Sequence, residues 1–171
     1  ESHHVFSFTA LIETYLHAHT VKPDGAHISI PSIAALGASP DVAVELDRQG
    51  CKLAVDKARA WVDKAVANGA DIYGITTGFA ACSDKRHLMA VIFGPRSADA
   101  QPLSTTRAAM AVRLNSLVGG LSGIRWEVLE ALANLVNANV IPSCPLRGTV
   151  TASCDLYIAS LLHGGPACRV A

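Results

Sequence analysis

The sequence predicts a mainly α-helical domain, and three observations support this prediction. Apolar residues recur at spacings of three and four over several long stretches, half of the 171 residues are hydrophobic, and only 16% are charged. Strand-like alternation is confined to short segments. Since the chain contains neither a repeat nor a low-complexity linker, we expect a single domain over residues 1–171.

The first predicted helix covers residues 3–18. Four apolar residues share one face of it: Phe8, Leu11, Ile12 and Tyr15. Asp24-Gly25 is a turn signal, and the two isoleucines that flank Ser29 favour a short strand. Pro31 then begins a short helix, because the fixed φ of proline is tolerated at a first helical position.

The next segment, residues 41–47, alternates between apolar residues and charged or small ones. This pattern fits either a strand or the start of the following helix. That helix is predicted from about residue 46 to residue 68, because Asn68-Gly69 is a typical C-terminal stop. Its predicted inward residues are Ala54, Ala58, Trp61, Val62 and Ala65.

Two further apolar stripes predict helices in the second half of the chain. The first stripe consists of Met110, Leu114, Leu117, Val118 and Leu121. Gly119-Gly120 weakens the end of this helix, since glycine has a low helix propensity. The second stripe consists of Ile124, Val128, Leu132, Leu135 and Val136, and it ends before Pro142. An irregular segment is predicted at 142–156 and a last short helix at 156–163.

Composition argues against several classes of protein. Fourteen basic residues balance fourteen acidic ones, so the charge does not favour nucleic acid or an anionic membrane as a partner. The first residues do not resemble a secretory signal, and no apolar run reaches the roughly 18 residues of a membrane span. Five widely spaced cysteines without a CxxC pair indicate neither a disulfide framework nor a zinc site. We therefore expect no metal and a cytoplasmic location.

Two segments of small and polar residues stand apart from the helical stripes. Residues 71–79 read Asp-Ile-Tyr-Gly-Ile-Thr-Thr-Gly-Phe, and residues 146–156 read Leu-Arg-Gly-Thr-Val-Thr-Ala-Ser-Cys-Asp-Leu. From the residues alone each is a polar loop, in which Tyr73 or Ser153 would ordinarily be structural. The sequence contains no GxGxxG and no Walker loop that would point to a nucleotide.

These two segments resemble the SYG-x-TTGFG and LRGT-x-TASGDL stretches of the aromatic amino acid ammonia-lyases, in particular the amino-terminal part of plant phenylalanine ammonia-lyases. Residues 106–110, 112–113 and 122–125 also match that family. The resemblance covers nearly the whole chain. It implies that residues 1–171 are a single truncated amino-terminal domain, that its helices carry a prosthetic-group loop, and that the complete protein is a cytoplasmic homotetramer.

The resemblance implies that Ala152, Ser153 and Cys154 form an electrophilic prosthetic group, since no ordinary side chain is electrophilic. The backbone nitrogen of the third residue attacks the carbonyl carbon of the first. Loss of two waters then leaves a methylidene-imidazolone, whose methylene comes from Ser153. Tyr73 is implied as the base that removes the β-proton of the substrate. A phenol has an ordinary pKa of about 10, so its surroundings must favour the phenolate.

The implied reaction is the non-oxidative deamination of L-phenylalanine to trans-cinnamate and ammonia, the first step of phenylpropanoid metabolism. Residues 86–94 resemble the family stretch RFLNAGIFG, which implies that His87 and Leu88 line the pocket for the substrate ring together with Leu156. Histidine at position 87 resembles the grass-type enzymes that also accept tyrosine, because an imidazole can hydrogen-bond a phenol. The alternative is that His87 is a surface residue of a rearranged loop.

Four departures from the family pattern leave a second reading open. Cys154 replaces a glycine, and its Cβ should raise the barrier to cyclisation. About a dozen family residues are absent between Ser83 and Arg86, and four are absent after the tripeptide. Ala80 and Cys82 replace other small residues. Family members also continue for several hundred residues that complete the substrate site. The alternative is therefore a catalytically inactive fragment that at most associates with full-length subunits.

Overall fold

Helices dominate the computed structural model of the chain. The structure describes residues 2–72, 75–76 and 101–142, with side chains from residue 7 onward. The helices within these ranges are α1 (Ser2–Leu16), α2 (Ile30–Ala38), α3 (Arg48–Ala67), α4 (Leu103–Val118) and α5 (Trp126–Asn137). Two short strands, β1 (Thr20–Val21) and β2 (Ala43–Val44), accompany them. The prediction of a mainly helical domain is confirmed.

The two strands pair in parallel, with Thr20 opposite Ala43 and Val21 opposite Val44. Parallel strands need a crossover connection, and α2 provides it. Of the two interpretations of residues 41–47, the strand is therefore confirmed at Ala43–Val44. No helix within the described residues is long and apolar enough to cross a membrane.

The short strand predicted around Ser29 is wrong, because Ser29 is the N-cap of α2. Its hydroxyl oxygen accepts a hydrogen bond from the backbone N–H of Ser32 at 3.2 Å. A serine in this role satisfies one of the otherwise unpaired N–H groups of the first helical turn. Pro31 lies in that first turn, as predicted. The hydroxyl of Ser29 thus outweighs the strand preference of the isoleucines beside it.

Helix α3 has well-formed caps at both ends. At its start the carboxylate of Asp47 accepts hydrogen bonds from the backbone N–H groups of Gln49 and Gly50, at 3.0 and 2.9 Å. At its end Gly69 has a φ of +74° and donates its N–H to the carbonyl of Val66. This left-handed residue closes a Schellman motif, so the C-terminal stop predicted at Asn68-Gly69 is confirmed.

The predicted inward face of α3 is partly wrong. Val62 is buried as expected, but Trp61 is 64% exposed and Ala54 is exposed, while Cys51 and Val55 are buried in their place. The loop after α4 also packs closely on α3. An ideal Cβ built on Gly120 would lie 2.7 Å from the carbonyl carbon of Ala54. The backbone of Gly120 thus contacts α3 at Ala54, where the sequence predicted a buried side chain.

Helices α4 and α5 supply most of the core. As predicted, Met110, Leu114, Leu117 and Val118 are buried on α4, and Leu132 and Val136 are buried on α5. Leu121 is 94% exposed, because α4 ends at Val118 and Gly120 turns the chain away with a φ of +73°. The core also includes Trp126 and Leu129. Gly119-Gly120 follows the end of α4 as expected, and Leu121 therefore lies outside the buried stripe.

The apolar stripe of α1 does not enter this core. Its four predicted members are all exposed: Phe8, Leu11, Ile12 and Tyr15. Periodicity correctly identified the helix, but the face that carries the stripe is not covered by the part of the chain that the structure describes.

A buried arginine connects three parts of the fold. Arg107 on α4 is 3% exposed. Its Nη2 donates to the backbone carbonyls of Val42 at 2.9 Å and Pro40 at 3.2 Å, and its Nη1 donates to Oδ1 of Asn139 at 2.7 Å. Burial lowers the pKa of the guanidinium from its ordinary value, while the carboxylate of Asp41 opposes that shift. Arg107 therefore fixes the chain before β2 and the end of α5 against α4.

Asn137 completes the open edge of β2. Its Oδ1 accepts the backbone N–H of Val44 at 2.7 Å, and its Nδ2 donates to the carbonyl of Val44 at 2.9 Å. The neighbouring N–H groups of Ala43 and Glu45 donate to β1 and its flanking residue on the other side. The carboxamide thus pairs with the strand as a third strand's backbone would, which satisfies both backbone polar groups of Val44.

Replacement of Arg107 should be strongly destabilising. We expect Arg107→Met to lower the free energy of unfolding by roughly 3 kcal/mol, because two backbone carbonyls lose a charged donor inside the protein. Urea unfolding followed by circular dichroism measures the change. Arg125→Met is the matched control, since Arg125 is exposed, and it should stay within about 0.5 kcal/mol of the wild type. Equal losses in the two variants would contradict this account.

Gly120 and Gly69 offer a second matched pair, because their φ values are nearly equal at +73° and +74°. A Cβ on Gly120 would collide with Ala54, whereas nothing lies within 4 Å of one on Gly69. We expect Gly69→Ala to cost about 1 kcal/mol for the left-handed backbone alone. Gly120→Ala should cost about 1–3 kcal/mol more, from steric overlap. The same unfolding experiment measures both, and equal costs would show that the loop does not pack closely on α3.

Candidate functional site

The residues predicted to carry the chemistry lie outside the described part of the chain. They are Tyr73, His87, Leu88, Ala152, Ser153, Cys154 and Leu156. The structure does describe the backbone that leads into each of the two motifs. Helix α3 precedes the Tyr73 motif, and helix α5 precedes the tripeptide motif. We call the chain that leaves the C-terminus of α3 the first exit and the chain that leaves the C-terminus of α5 the second exit. Their geometry is what the structure contributes to the candidate active site.

The first exit is a compact turn that follows the cap of α3. Ala70 donates its N–H to the carbonyl of Ala65 at 3.0 Å, which completes the Schellman motif of Gly69. Two residues later the chain folds back on itself. The carbonyl of Ile72 accepts the N–H groups of Ile75 and Thr76, both at 3.0 Å. In the sequence, Tyr73 and Gly74 are the residues between the two sides of this turn.

The hydroxyl of Thr76 closes the same turn from the other direction. Its oxygen accepts the backbone N–H of Ile72 at 2.7 Å, which is a short and therefore well-formed bond for this pair of groups. The hydroxyl also lies 3.4 Å from the carbonyl oxygens of Ala70 and Ile72. Both backbone polar groups of Ile72 are thus bound by Thr76, immediately before Tyr73.

The second exit uses asparagine where the first uses glycine. Asn139 has a φ of +55° and donates its N–H to the carbonyl of Val136 at 3.1 Å, while Val140 donates to Leu135 at 2.9 Å. This is again a Schellman motif, since asparagine tolerates the left-handed region better than most residues. Unlike Gly69, Asn139 has a side chain, and that side chain accepts the hydrogen bond from Arg107.

Both exits begin with a Schellman motif. A left-handed residue ends the helix abruptly, and hydrogen bonds from the next residues secure the departing chain. Helices α3 and α5 also contact one another, so their ends belong to one packed unit. The structure therefore places the start of the first motif, residues 71–72, and the chain up to residue 142 next to packed helices, which are the elements on which a precise site is best built.

Two other features of the described residues do not form a site of their own. Cys51 is a free, buried thiol, and burial raises its pKa, with smaller contributions from the carboxylates of Asp47 and Asp24. A protonated thiol is a poor nucleophile. In residues 2–72, 75–76 and 101–142, no three histidine, cysteine, aspartate or glutamate side chains are grouped to hold a metal ion.

One cavity lies between α1 and the segment that joins α2 to β2. It has a volume of about 300 Å³, and three titratable side chains line it, those of Tyr15, His19 and Asp41, beside the apolar Val42 and Ala35. None of the described motif residues, 71–72 and 75–76, lines it.

Sequence reasoning missed the supporting residues of both exits, namely Arg107, Asn139 and Thr76. A signal for Arg107 was present, because it lies three, seven and eleven residues before Met110, Leu114 and Val118 on the buried stripe of α4. A charged residue on such a stripe is seldom buried without partners. Asn139 also lies between the last residue of the predicted stripe, Val136, and Pro142, where asparagine can end a helix.

Comparison with known proteins identifies the family. The family model "Aromatic amino acid lyase" matches residues 28–165, which include both motifs. The chain belongs to the aromatic amino acid lyase family. It is therefore a member of a family of carbon–nitrogen lyases, and its match to the amino-terminal part of that family agrees with the resemblance noted in the sequence.

Relatives in this family differ in the reaction that their names record. The chain is 43% identical to a phenylalanine aminomutase of Taxus canadensis that forms L-β-phenylalanine, over 95% of the chain and 26% of the relative. It is 36% identical to phenylalanine ammonia-lyase 1 of Pleurotus ostreatus, over 95% and 27%. The chain thus spans about a quarter of the length of the curated relatives that it matches.

Solved structures of the family confirm the fold. Phenylalanine ammonia-lyase from the yeast Rhodosporidium toruloides superposes with a TM-score of 0.73 at 26% identity, covering 94% of the chain and 26% of the yeast enzyme. The helical architecture described above is therefore that of the ammonia-lyases.

The bond between Arg107 and Asn139 should be measurable as a coupling energy. Asn139→Gly keeps the left-handed backbone but removes the acceptor, so a double-mutant cycle with Arg107→Met isolates the side-chain bond. We expect a coupling of roughly 1.5 kcal/mol, as for a hydrogen bond to a charged group. Urea unfolding of the four proteins measures it. A coupling near zero would mean that Arg107 does not secure the second exit.

Proposed function

We propose that this chain is the prosthetic-group-bearing, amino-terminal domain of a phenylalanine ammonia-lyase, over residues 1–171. The reaction is the deamination of L-phenylalanine to trans-cinnamate and ammonia. The observation that carries the proposal is the continuous family match over residues 28–165, which includes both chemistry-bearing motifs. The likeness to the lyases of Pleurotus ostreatus and Rhodosporidium toruloides supports the choice of substrate.

The prosthetic group is proposed to form from Ala152, Ser153 and Cys154. Cyclisation requires a backbone N–H at the third position, and cysteine has one, so the residues present fit the group in their chemistry. The nitrogen of Cys154 bonds to the carbonyl carbon of Ala152, whose oxygen leaves as one water. Ser153 loses its α-hydrogen and hydroxyl as the second. The Cβ of Cys154 restricts the backbone, so the cyclisation should be slower than with glycine.

Once formed, such a group supplies an electrophile that promotes the departure of the amino group. The chain's own contribution to the reaction is then proton removal and substrate orientation. Tyr73 is proposed to take the β-proton of the substrate as the amino group leaves as ammonia. Its position directly after Ile72 supports this role, because the turn that Thr76 closes limits the backbone there. A base held in place needs no reorganisation at the moment of transfer.

The ring of the substrate is proposed to contact His87, Leu88 and Leu156. Leucine side chains offer the apolar surface that a phenyl ring requires. The imidazole of His87 can also bind a phenolic hydroxyl, so tyrosine is proposed as a second substrate. The groups that bind the carboxylate and amine belong to other parts of the complete protein, which is proposed to be a cytoplasmic homotetramer.

A second candidate reaction is that of an aminomutase. The 43% identity to the Taxus canadensis aminomutase favours it. In that case the amino group returns to the β-carbon, and the product is L-β-phenylalanine. The two candidates share proton removal and loss of the amino group, so they differ in the fate of the cinnamate. The products therefore distinguish them.

Incubation of the purified chain with L-phenylalanine, followed by chromatography of cinnamate and β-phenylalanine, tests the proposal. We expect cinnamate as the main product, and we expect Tyr73→Phe to lower kcat by roughly 10²–10⁴-fold, the usual contribution of a general base. Tyr15→Phe is the matched control and should retain the wild-type rate, since Tyr15 is exposed on α1.

Mostly β-phenylalanine would favour the aminomutase. Absence of both products, with the chain alone and with added full-length subunits that are inactivated by alanine at their own tripeptide serine, would contradict the proposed activity. Size-exclusion chromatography of that mixture then tests the remaining alternative, an inactive fragment that associates with full-length subunits. The exposed apolar stripe of α1 and the quarter-length coverage of the relatives favour such an association.

A further inference from the structure

We propose that the cavity between α1 and the segment that joins α2 to β2 binds a small primary amine with an apolar body. Its volume of about 300 Å³ lies at the lower end of the range of ligand sites. Leu16, Ala35 and Val42 give it an apolar surface, and His19, Ser39 and Asp41 add polar groups. A few polar groups that converge on an apolar surface are the usual composition of a ligand site.

The pairing of the two strands brings His19 and Asp41 to the same cavity. Thr20 lies opposite Ala43 in the parallel pair, and the N–H of Ala43 donates to the carbonyl of His19 at 3.0 Å. His19 therefore precedes β1 at the same end of the sheet at which Asp41 precedes β2. Two residues that are distant in the sequence thus line one cavity because the sheet sets the position of their backbones.

The backbone is held on both sides of Asp41. The carbonyls of Pro40 and Val42 both accept hydrogen bonds from Nη2 of the buried Arg107, at 3.2 and 2.9 Å. The N–H of Asp41 itself donates to the hydroxyl oxygen of Ser39 at 3.2 Å. A carboxylate on a fixed backbone loses less conformational freedom when it binds a ligand than one on a flexible loop does.

The carboxylate of Asp41 is available to a ligand. Within the part of the chain that the structure describes, it forms neither an ion pair nor a side-chain hydrogen bond, and the same holds for the imidazole of His19. A carboxylate only accepts hydrogen bonds, and its strongest partners are cations. An ammonium group has three N–H donors, so it can serve Asp41, the hydroxyl of Ser39 and a neutral imidazole of His19 together.

The apolar residues select the rest of the ligand. Ala35 and Val42 are buried, whereas Leu16 is 64% exposed. A ligand whose apolar body covers Leu16 therefore removes hydrophobic surface from water. Arg107 opposes binding, because its positive charge acts on Asp41 and weakens the attraction for an ammonium group. We therefore expect a modest affinity. The inference uses only described residues and does not depend on the proposed lyase activity.

Titration of the ¹⁵N-labelled chain with 2-phenylethylamine at neutral pH, followed by NMR, tests the inference. We expect saturable shifts of the amide signals of Ala35 and Val42, with a Kd on the order of 1 mM. 3-Phenylpropanoate is the matched ligand, since it has the same ring but ends in a carboxylate. It should bind at least about tenfold more weakly, because it places a like charge beside Asp41.

Asp41→Asn keeps the size of the side chain but removes its charge. It should raise the Kd about tenfold, through loss of a charge-assisted hydrogen bond. Asp41 is exposed, so this variant is expected to fold, and circular dichroism checks that it does. Leu16→Ala gives an independent readout and should raise the Kd about threefold by removing apolar contact. Glu13→Gln is the matched control, since Glu13 is exposed on α1 and does not line the cavity, and it should leave the Kd unchanged.

Three results would overturn the inference. The first is the lack of saturable shifts at Ala35 and Val42. The second is an unchanged Kd in both Asp41→Asn and Leu16→Ala. The third is equal binding of 3-phenylpropanoate, which would mean that the cavity does not select an amine. Failure of the proposed function is seen separately, as absence of product, because these shifts do not depend on turnover.

Discussion

The buried guanidinium of Arg107 holds together parts of the chain that are far apart in sequence. Its partners Pro40, Val42 and Asn139 are 65–67 residues before it and 32 residues after it. Burying a charge is costly unless hydrogen bonds compensate for the lost water. These three partners satisfy Nη1 and Nη2 of Arg107, whereas its Nε is buried without a hydrogen-bond partner. The position of β2 and the cap of α5 both depend on this arrangement. In the sequence, the second motif begins at Leu146, six residues after Val140, the last residue of that cap.

Periodicity was sufficient to predict most of the helices, because each buries a stripe against the others. It failed where contacts distant in the sequence decide the outcome. Ser29 caps a helix although its neighbours favour a strand, and Trp61 is exposed while glycines of the loop after α4 pack against Ala54 and Val62 of α3. On α1 the stripe is real but uncovered in the described residues. The local pattern predicts the helix itself, but it does not predict which residues pack against that helix.

The candidate site shows the same division. The resemblance to the family motifs implies catalytic roles for Tyr73 and the tripeptide. The physical properties of a polar loop alone would not have indicated these residues. The residues that support these motifs came from the structure instead. Thr76 binds Ile72 within the first motif, and Asn139, seven residues before the second motif, accepts a hydrogen bond from Arg107. Such contacts are invisible in a single sequence, since threonine and asparagine are common in loops for many reasons.

The family match covers most of the chain but only part of each relative. The family model covers residues 28–165, whereas the relatives are about four times longer than the part that the chain matches. Members named in the comparisons include both lyases and aminomutases, which share an origin and differ in products. The chemistry that unites the proposals is the formation of an electrophile from the chain itself, and at that point Cys154 departs from the glycine of the family motif.

The most direct measurement is the intact mass of the purified chain, followed by the mass of the peptide that spans residues 152–155. The account predicts a chain lighter than its sequence by two waters, with the loss located in that peptide and abolished in Ser153→Ala. Cys154→Gly should increase the modified fraction, because glycine removes the restriction on the turn. An unmodified mass in both the natural chain and Cys154→Gly would contradict the account, since the electrophile would then not form in this domain.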